Sequence, residues 1–392
     1  MDFVWWIATG FGHLGICVLI FNQVHATSLP RLWRKNTEKI LFAITVTFGL
    51  YLLWQVFSLG TFRFGAVVSN NSFNRVYLPV CLVSALFFSF LWMYRKFRFS
   101  QPAQVVSHTI SKEDIQKQLG KSLYHGKKAN LFKSIPGNKA HEIVSEKLTF
   151  RIPRLPKDLE GLKICHLSDF HLTGQIDRSY FERIARMANE FEADLILITG
   201  DLVDEKECLD WIEPIFGILS ARHGVFYVLG NHDRRIHDEK MYRQRLDAAG
   251  MVGVSGTWQT VSIKGATIAI AGNELPWYPY AKGLRDYEQP VGSNADGDGL
   301  LKILLSHSPD QCTWARRYNF DLMLAGHTHG GQARIPVIGP FVAPSRFGVR
   351  YAGGTFMVGE MLMHVTRGIS GDKCIRINCP PEVGLITLTG NG

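Results

Sequence analysis

Gly326-His327-Thr328-His329-Gly330-Gly331, entered directly from the apolar run Phe320-Asp321-Leu322-Met323-Leu324-Ala325, is the stretch on which the reading of this chain turns. Two imidazoles one residue apart, with glycine on both sides, suit metal ligands presented from a loop at the end of a buried strand. Glycine lets the backbone turn sharply enough to bring both rings to one centre. Alone, the pair is as compatible with a glycine-rich turn carrying two solvated histidines. The decision comes from what stands at the other strand ends.

From Leu162 onward, short apolar runs alternate with helical patterns. Leu162–Leu167, Leu195–Ile198 and Val225–Leu229 read as buried strands, and Phe181, Ile184, Ala185, Ala188 and Phe191 trace one face of a helix. Such alternation predicts βαβ units and a parallel sheet covered by helices. The later runs Val261–Ile263, Thr267–Ala271, Leu301–Leu305, Phe356–Val358, Met363–Thr366 and Leu385–Leu388 crowd together with fewer helices, which predicts a second, mixed or antiparallel sheet. In open α/β sheets, ligands bind beyond the carboxyl ends of the strands. Here those ends release Ser168-Asp169-Phe170-His171, Gly200-Asp201-Leu202-Val203-Asp204, Gly230-Asn231-His232-Asp233, Ser306-His307-Ser308 and the double histidine. Asp169 and His171 are two residues apart, so in an extended segment both face one ion.

Carboxylate oxygen, imidazole nitrogen and an Asn carbonyl form a borderline-hard donor set that suits Mn, Fe or Zn better than Ca or Mg, and no thiolate joins it. The ligands exceed what one tetrahedral ion needs. Two divalent ions sharing a carboxylate fit better, an arrangement that clamps a phosphoryl group.

These blocks, D-x-H, G-D, G-N-H-D, a lone His and G-H-x-H, resemble the calcineurin-like metallophosphoesterases in order and spacing, with 30 residues from His171 to Asp201 and 30 from Asp201 to Asn231. The resemblance covers roughly residues 160 to 390. It implies a four-layer αββα sandwich in which Asp169, His171, Asp201 and His329 hold one metal, and Asp201, Asn231, His307 and His327 the other. It further implies that His232 protonates or stabilises the leaving group while Asp233 orients it. Asp204 is the alternative to Asp201 as bridge, and Asp233 the alternative N-cap of a helix expected over Arg234–Leu246. Gly330-Gly331-Gln332, Pro344-Ser345-Arg346-Phe347-Gly348, Tyr351-Ala352-Gly353-Gly354 and Thr366-Arg367-Gly368 look like a bacterial, often membrane-linked branch. That branch includes broad phosphodiesterases and enzymes resembling UDP-2,3-diacylglucosamine pyrophosphatase, whose best-known form has Arg where His232 stands. Arg346 and Arg350 are candidates for non-reacting phosphate oxygens, because a guanidinium fork suits them.

Outside the resemblance lie three uncharged or nearly uncharged apolar segments, Val4–Phe21, Ile40–Leu59 and Val76–Tyr94, each about long enough for a hydrocarbon core of roughly 30 Å. Arg31, Arg34, Lys35, Lys39, Arg95, Lys96 and Arg98 flank them on one side, against Arg63 and Arg75 on the other. The positive-inside rule then places everything after Tyr94 in the cytoplasm. From Gln101 to about Phe150 the chain is lysine-rich. It reads either as a short helix at Ile115, Leu119 and Leu123 lying on anionic lipid, or as a solvated linker. Net charge of +9 owes much to this region; no Arg-aromatic pattern accompanies it, which argues against nucleic acid. Seven scattered cysteines without a CxxC pair fit a reducing compartment. Leu275–Leu300, with Trp277, Tyr278 and Tyr280, is an aperiodic connection long enough to be functional, its aromatic half suited to covering an acyl chain or a base.

The sequence thus predicts an α/β chain in three parts: a transmembrane region of about three helices (1–98), a basic linker (99–158) and a metallophosphoesterase domain (159–392). The expected activity is hydrolysis of a phosphodiester or pyrophosphate, with two divalent ions as cofactors and a phosphorylated, lipid-linked substrate as partner. A general nucleotide phosphodiesterase tethered to the membrane is the alternative, and a non-catalytic scaffold the third. The expected location is a bacterial inner membrane, crossed several times, with the catalytic domain facing the cytoplasm.

Overall fold

A computed structural model of the chain describes residues 2–98, 101–278 and 300–391. They form two compact units: Met1–Ser100 with Pro344–Arg350, and Gln101–Ala343 with Tyr351–Gly392.

The first unit is helical: α1 (Asp2–His25), α2 (Arg31–Leu59), α3 (Phe64–Asn70) and α4 (Ser72–Arg98). Three of these, α1, α2 and α4, are long and apolar enough to cross a membrane. Their outward faces carry exposed Phe42, Phe57, Val76, Leu86 and Phe90, as lipid-facing surfaces do, while Phe48, Val67, Leu78 and Cys81 pack inward. Gly12 of α1 lies against the Cys81 carbonyl of α4, where any Cβ would collide; small residues allow this closeness between apolar helices. Polar groups of α2 and α4 that turn inward pair with one another and with backbone. Tyr51 Oη donates to Asn74 Oδ1 (2.8 Å), and Asn74 Nδ2 donates to the Val67 carbonyl (2.7 Å). The basic residues expected in the first loop form the opening turns of α2 instead.

The second unit contains β1 (Val105–Asp114), α5 (Ile115–Leu119), α6 (Gly126–Lys133), β2 (Glu142–Arg151), β3 (Lys163–Leu167), α7 (Arg178–Glu190), β4 (Leu195–Thr199), α8 (Ile212–Phe216), β5 (Val225–Val228), α9 (Glu239–Ala248) and β6 (Met251–Gly253). There follow β7 (Trp258–Ile263), β8 (Ala266–Asn273), β9 (Leu300–Ser306), α10 (Cys312–Arg317), β10 (Leu322–Ala325), β11 (Arg334–Ile335), β12 (Gly339–Pro340), β13 (Gly354–Val358), β14 (Met361–Val365) and β15 (Glu382–Thr389). One sheet runs β1-β2-β15-β3-β4-β5-β6 and the other β13-β14-β10-β9-β8-β7. In the first, β3 to β6 are parallel; in the second, β8, β9, β10 and β14 are.

The strand period of two sorts side chains between two cores. Ile196 and Ile198 of β4 face a core shared with Phe181 and Ile184 of α7, while Leu195 and Leu197 face the second sheet at Ile268 and Ile303. Truncating any of these to Ala should cost ~2–5 kcal/mol. The layers therefore run helix, sheet, sheet, helix, the last represented among the described residues by α10 beside β13.

Two expectations are corrected. Residues 105–151, read as a basic linker, supply β1 and β2 of the larger sheet, with α5 reduced to five residues capped by Asp114. Leu385–Leu388 does not join the second sheet: β15 sits inside the first, parallel to β2 and antiparallel to β3. Most of the Leu275–Leu300 connection lies outside the described residues.

Candidate metal centre

The parallel strands of both sheets end at one rim, and their exit loops are held in conformations that side chains seldom adopt. Asp169, His171, Asp201, His327 and His329 all have φ between 48° and 69°. Non-glycine residues in this region are strained, and such strain gathers where surrounding structure over-determines a functional geometry. Close approach completes the arrangement. A Cβ on Gly326 would overlap the Ser168 hydroxyl and the Asp169 carboxylate, and one on Gly230 would overlap Asp201.

Two groups of donor atoms result. His171 Nε2 and His329 Nε2 are 3.1 Å apart, and Asp169 Oδ1 lies 3.7 Å from the first and 3.5 Å from the second. In the second group, His307 Nε2 lies 3.2 Å from Asn231 Oδ1 and 3.2 Å from His327 Nδ1. Asp201 Oδ2 belongs to both, at 3.4 Å from His171 Nε2 and 3.2 Å from His307 Nε2. All seven residues predicted as metal ligands are brought together.

The outer nitrogens explain why these inner atoms are bare. His171 Nδ1 donates to Asp204 Oδ1 (3.0 Å), His307 Nδ1 to the Thr199 carbonyl (2.7 Å) and His329 Nδ1 to the Ser370 carbonyl (3.1 Å). For His171 and His307 the tautomer is thereby set with the Nε2 lone pair turned inward, towards carboxylates and other lone pairs; at His329, Nδ1 is shared between the Ser370 carbonyl and Arg376 Nη2 at 3.0 Å. Lone pairs converging on buried carboxylates need a cation, and a donated Nδ1–H is the usual companion of metal-binding histidine. The donor set therefore fits divalent metal. The same carboxylates act on the histidines around them. Burial opposes charge on His307, yet the Asp201 carboxylate holds its imidazole up to about 9. His171 is likewise raised against burial by Asp204 and Asp169. Burial, with neighbouring cations, takes His329 down to about 3 and His327 well below its ordinary value.

His232 stands apart from this set. Its Nδ1 donates to Asp204 Oδ2 (2.8 Å), its ring meets that of His171 edge-on at 4.6 Å, and its side chain retains 18 % exposure. The expected partner, Asp233, does something else. Its carboxylate accepts from the backbone amides of Asp201 (2.9 Å), Leu202 (2.9 Å), Val203 (3.1 Å) and Gly230 (2.7 Å), and from Tyr242 Oη (2.8 Å). Asp233 stitches two ligand loops together, and Asp204 orients the imidazole. Nor does Asp233 cap a helix over 234–246: α9 starts at Glu239 under Asp238.

Asp204 is fully buried between His171, His232 and Arg235, whose Nη1 donates to Oδ2 at 2.6 Å. Sequence reasoning weighed it only as a substitute bridge, although its place three residues after Asp201 was a usable signal. Arg376 carried no signal. This buried guanidinium donates to the carbonyls of His329 (2.9 Å), Arg367 (2.6 Å) and Ser370, clamping the loop that carries His329. Trp277 packs its ring 4.8 Å from that of His327 and 5.4 Å from that of His307. Arg346 and Arg350 lie in the 344–350 segment of the helical unit, where Gln23 Nε2 donates to the Arg346 carbonyl (3.0 Å).

Comparison with known proteins now bears on this geometry. The sequence signature described as "Calcineurin-like phosphoesterase" matches residues 162–331, which hold every ligand named above. The "uncharacterized metallophosphoesterase YkuE" of Bacillus subtilis is 30% identical over 253 residues, covering 63% of this chain and 86% of that protein. The chain belongs to the calcineurin-like phosphoesterase family. "Phosphodiesterase YaeI" of Escherichia coli is 29% identical over 251 residues, 63% of this chain and 88% of that protein. The "transmembrane protein with metallophosphoesterase domain" of Danio rerio is 32% identical over 191 residues, 46% of this chain and 43% of that protein. As a calcineurin-like phosphoesterase, the chain is a metal-dependent phosphoester hydrolase. It joins that catalytic unit to three helices able to span a membrane.

Proposed function

We propose that the chain is a membrane-anchored, two-metal phosphoesterase that cleaves a phosphodiester or pyrophosphate of a lipid-linked substrate. The observation that carries the two-metal reading is Asp201 Oδ2, shared between His171 Nε2 at 3.4 Å and His307 Nε2 at 3.2 Å. Asp169, His171, Asp201 and His329 would hold one ion; Asp201, Asn231, His307 and His327 the other. Mn, Fe or Zn suits these donors. Bound there, such ions activate water and offset the charge that grows on phosphoryl oxygens.

The protein's own part is positional and protonic. His232, partly exposed and anchored through Nδ1, presents Nε2 to a leaving oxygen as general acid. Asp204 accepts from Nδ1 and so orients the ring, as it also does for His171. Arg376 and Asp233 keep the ligand loops from relaxing out of their strained conformations. Arg346 and Arg350 remain candidates for the non-reacting oxygens on chemistry alone, a guanidinium edge matching a phosphate edge.

The lipid-linked substrate rests on anchoring. A soluble metabolite reaches any enzyme by diffusion, whereas holding a crevice near a bilayer raises the effective concentration of a substrate that resides there. The seven basic residues on one side of the spans, against two on the other, support a cytoplasmic catalytic unit. Reporters fused after Gly65 and after Gly392 should report outside and inside respectively; an active external reporter at the second site sinks this topology. The substrate is tested with purified protein in detergent with manganese, on an acylated UDP-sugar and its unacylated counterpart. Higher kcat/KM on the acylated compound is expected, and equal values would leave a tethered phosphodiesterase.

A further inference from the structure

Just beyond the ligand loop, the chain forms a hairpin in which Arg334 pairs with Pro340 and Ile335 with Gly339. Its turn is closed by Ile338 N donating to the Pro336 carbonyl (2.8 Å), around Val337 at φ 70°. A β-branched residue is poorly suited to this tight positive-φ turn. Strain of that kind is ordinarily offset by packing the side chain, yet Val337 is 83% exposed. Ile335 at 43% and Phe341 at 45%, on either side of it in the chain, are exposed as well.

No acidic residue occurs between Asp321 and Glu360, while Arg334, Arg346 and Arg350 fall in that interval. The hairpin's second strand leads through Phe341, Val342 and Ala343 straight into Pro344–Arg350, the segment that groups with the apolar helices. An exposed apolar tip rimmed by polar or charged residues marks an interaction surface. A stretch of chain that carries arginines and no carboxylate suits an anionic bilayer, where each Lys or Arg near the surface adds attraction.

We propose that the Arg334–Pro340 hairpin dips its Val337 tip into the interfacial layer of the membrane, with anionic headgroups around its flanking arginines. Ile335 and Phe341 then rest at the acyl boundary, as the apolar side of an interfacial element does. The crevice that begins at Gly326 is held at lipid depth by its own neighbouring turn. This inference rests on the membrane attachment proposed above but not on the choice of substrate.

The test uses the full chain in vesicles of phosphatidylethanolamine and phosphatidylglycerol. V337C is labelled with an environment-sensitive thiol fluorophore, the seven native cysteines being buried, and K240C on α9 serves as the exposed control. Blue-shifted emission at position 337, quenched by lipids carrying a nitroxide near the headgroup, is expected, with no such quenching at 240. Quenching at 337 by aqueous iodide alone overturns the proposal. So does a blue shift without lipid quenching, which would mean that protein, a second copy included, covers the tip. Extraction by alkaline carbonate separates the two readings. Protein released from the vesicles removes the anchor itself, whereas protein retained with an unquenched tip removes only the hairpin.

Discussion

Asp204→Asn tests the orientation of both His171 and His232 in one side chain of unchanged volume. The carboxylate serves three donors: His171 Nδ1 on Oδ1, and His232 Nδ1 with Arg235 Nη1 on Oδ2. An amide offers one acceptor and one donor. Arg235 cannot accept, so the amide oxygen must turn towards it, leaving the NH2 against His171 Nδ1. His171 then has to carry its proton on Nε2, the atom that faces Asp169 and Asp201. Misplacing a group that fixes a ligand's tautomer typically costs ~10–100-fold in metal affinity or activity. Loss of the acceptor that orients His232 also misplaces its Nε2, so kcat at saturating metal should fall by roughly 10²-fold, the low end for one acid-base group. Manganese affinity is read by calorimetry and kcat on bis(p-nitrophenyl) phosphate, each with and without H232A. If Asp204 acts through His232, the double variant loses less kcat than the product of the two single losses. Unchanged manganese affinity together with fully multiplicative losses would refute the reasoning.

D201A should lose both metals by elemental analysis and with them all metal-dependent hydrolysis, whereas H232A should keep its metals and turn over roughly 10²–10⁴-fold more slowly; metal loss in H232A would show that His232 is a ligand after all. R376A leaves the carbonyls of His329, Arg367 and Ser370 without their buried donor, at ~1–3 kcal/mol for each unsatisfied group. Reduced metal content and a lower unfolding temperature are expected, and an unaffected His329 loop by hydrogen exchange would count against the clamp. D177A removes the N-cap of α7, whose carboxylate accepts from Ser179 N (2.9 Å) and pairs with Lys121 and His125, and should cost ~1 kcal/mol. Burial opposes ionisation of Asp177, but bonds from Ser179, His125 and Lys121 outweigh it and depress its folded value. Its contribution is therefore present above the unfolded value of about 3.9 and lost as pH falls towards the folded one. The difference in unfolding temperature between wild type and D177A should be full near neutrality and shrink in acid; a difference that grows in acid contradicts the assignment.

The catalytic strands were legible because each is buried on both faces, so Leu195–Ile198 reads as an unbroken apolar run, and because each leads into a chemically distinctive residue. β1 was not legible, and its environment explains why. It is an edge strand exposed along most of its length, so selection for apolar alternation has nothing to act on. β2 was obscured by charge. Glu146 looks like a linker residue, yet it is buried and satisfied by Arg367 Nη2 (2.6 Å) and His108 Nε2 (3.2 Å), partners remote in sequence. The candidate ligands came from a resemblance in order and spacing, which local residues carry. Asp204 and Arg376 did not, because their roles come from what the folded loops bring beside them.

The place of β15 has a consequence for how the protein is made. β2 and β3 are separated in the sheet by a strand that is synthesised after the other described strands, since Glu382–Thr389 pairs with β2 on one side and β3 on the other. At ~5–20 residues per second, roughly ten to forty seconds pass between the emergence of β3 and that of β15. Throughout that interval the nascent chain holds two open strand edges facing a gap, the kind of template on which neighbouring chains mispair. Gly368, which packs on Asp169, is tied to the same late segment, its carbonyl accepting from Glu382 N (2.9 Å). The ribosome has therefore delivered every ligand before the loop beside Asp169 receives that bond. Emergence of the β15 segment, rather than the appearance of His329, should set the moment at which the newborn protein can first retain its metals.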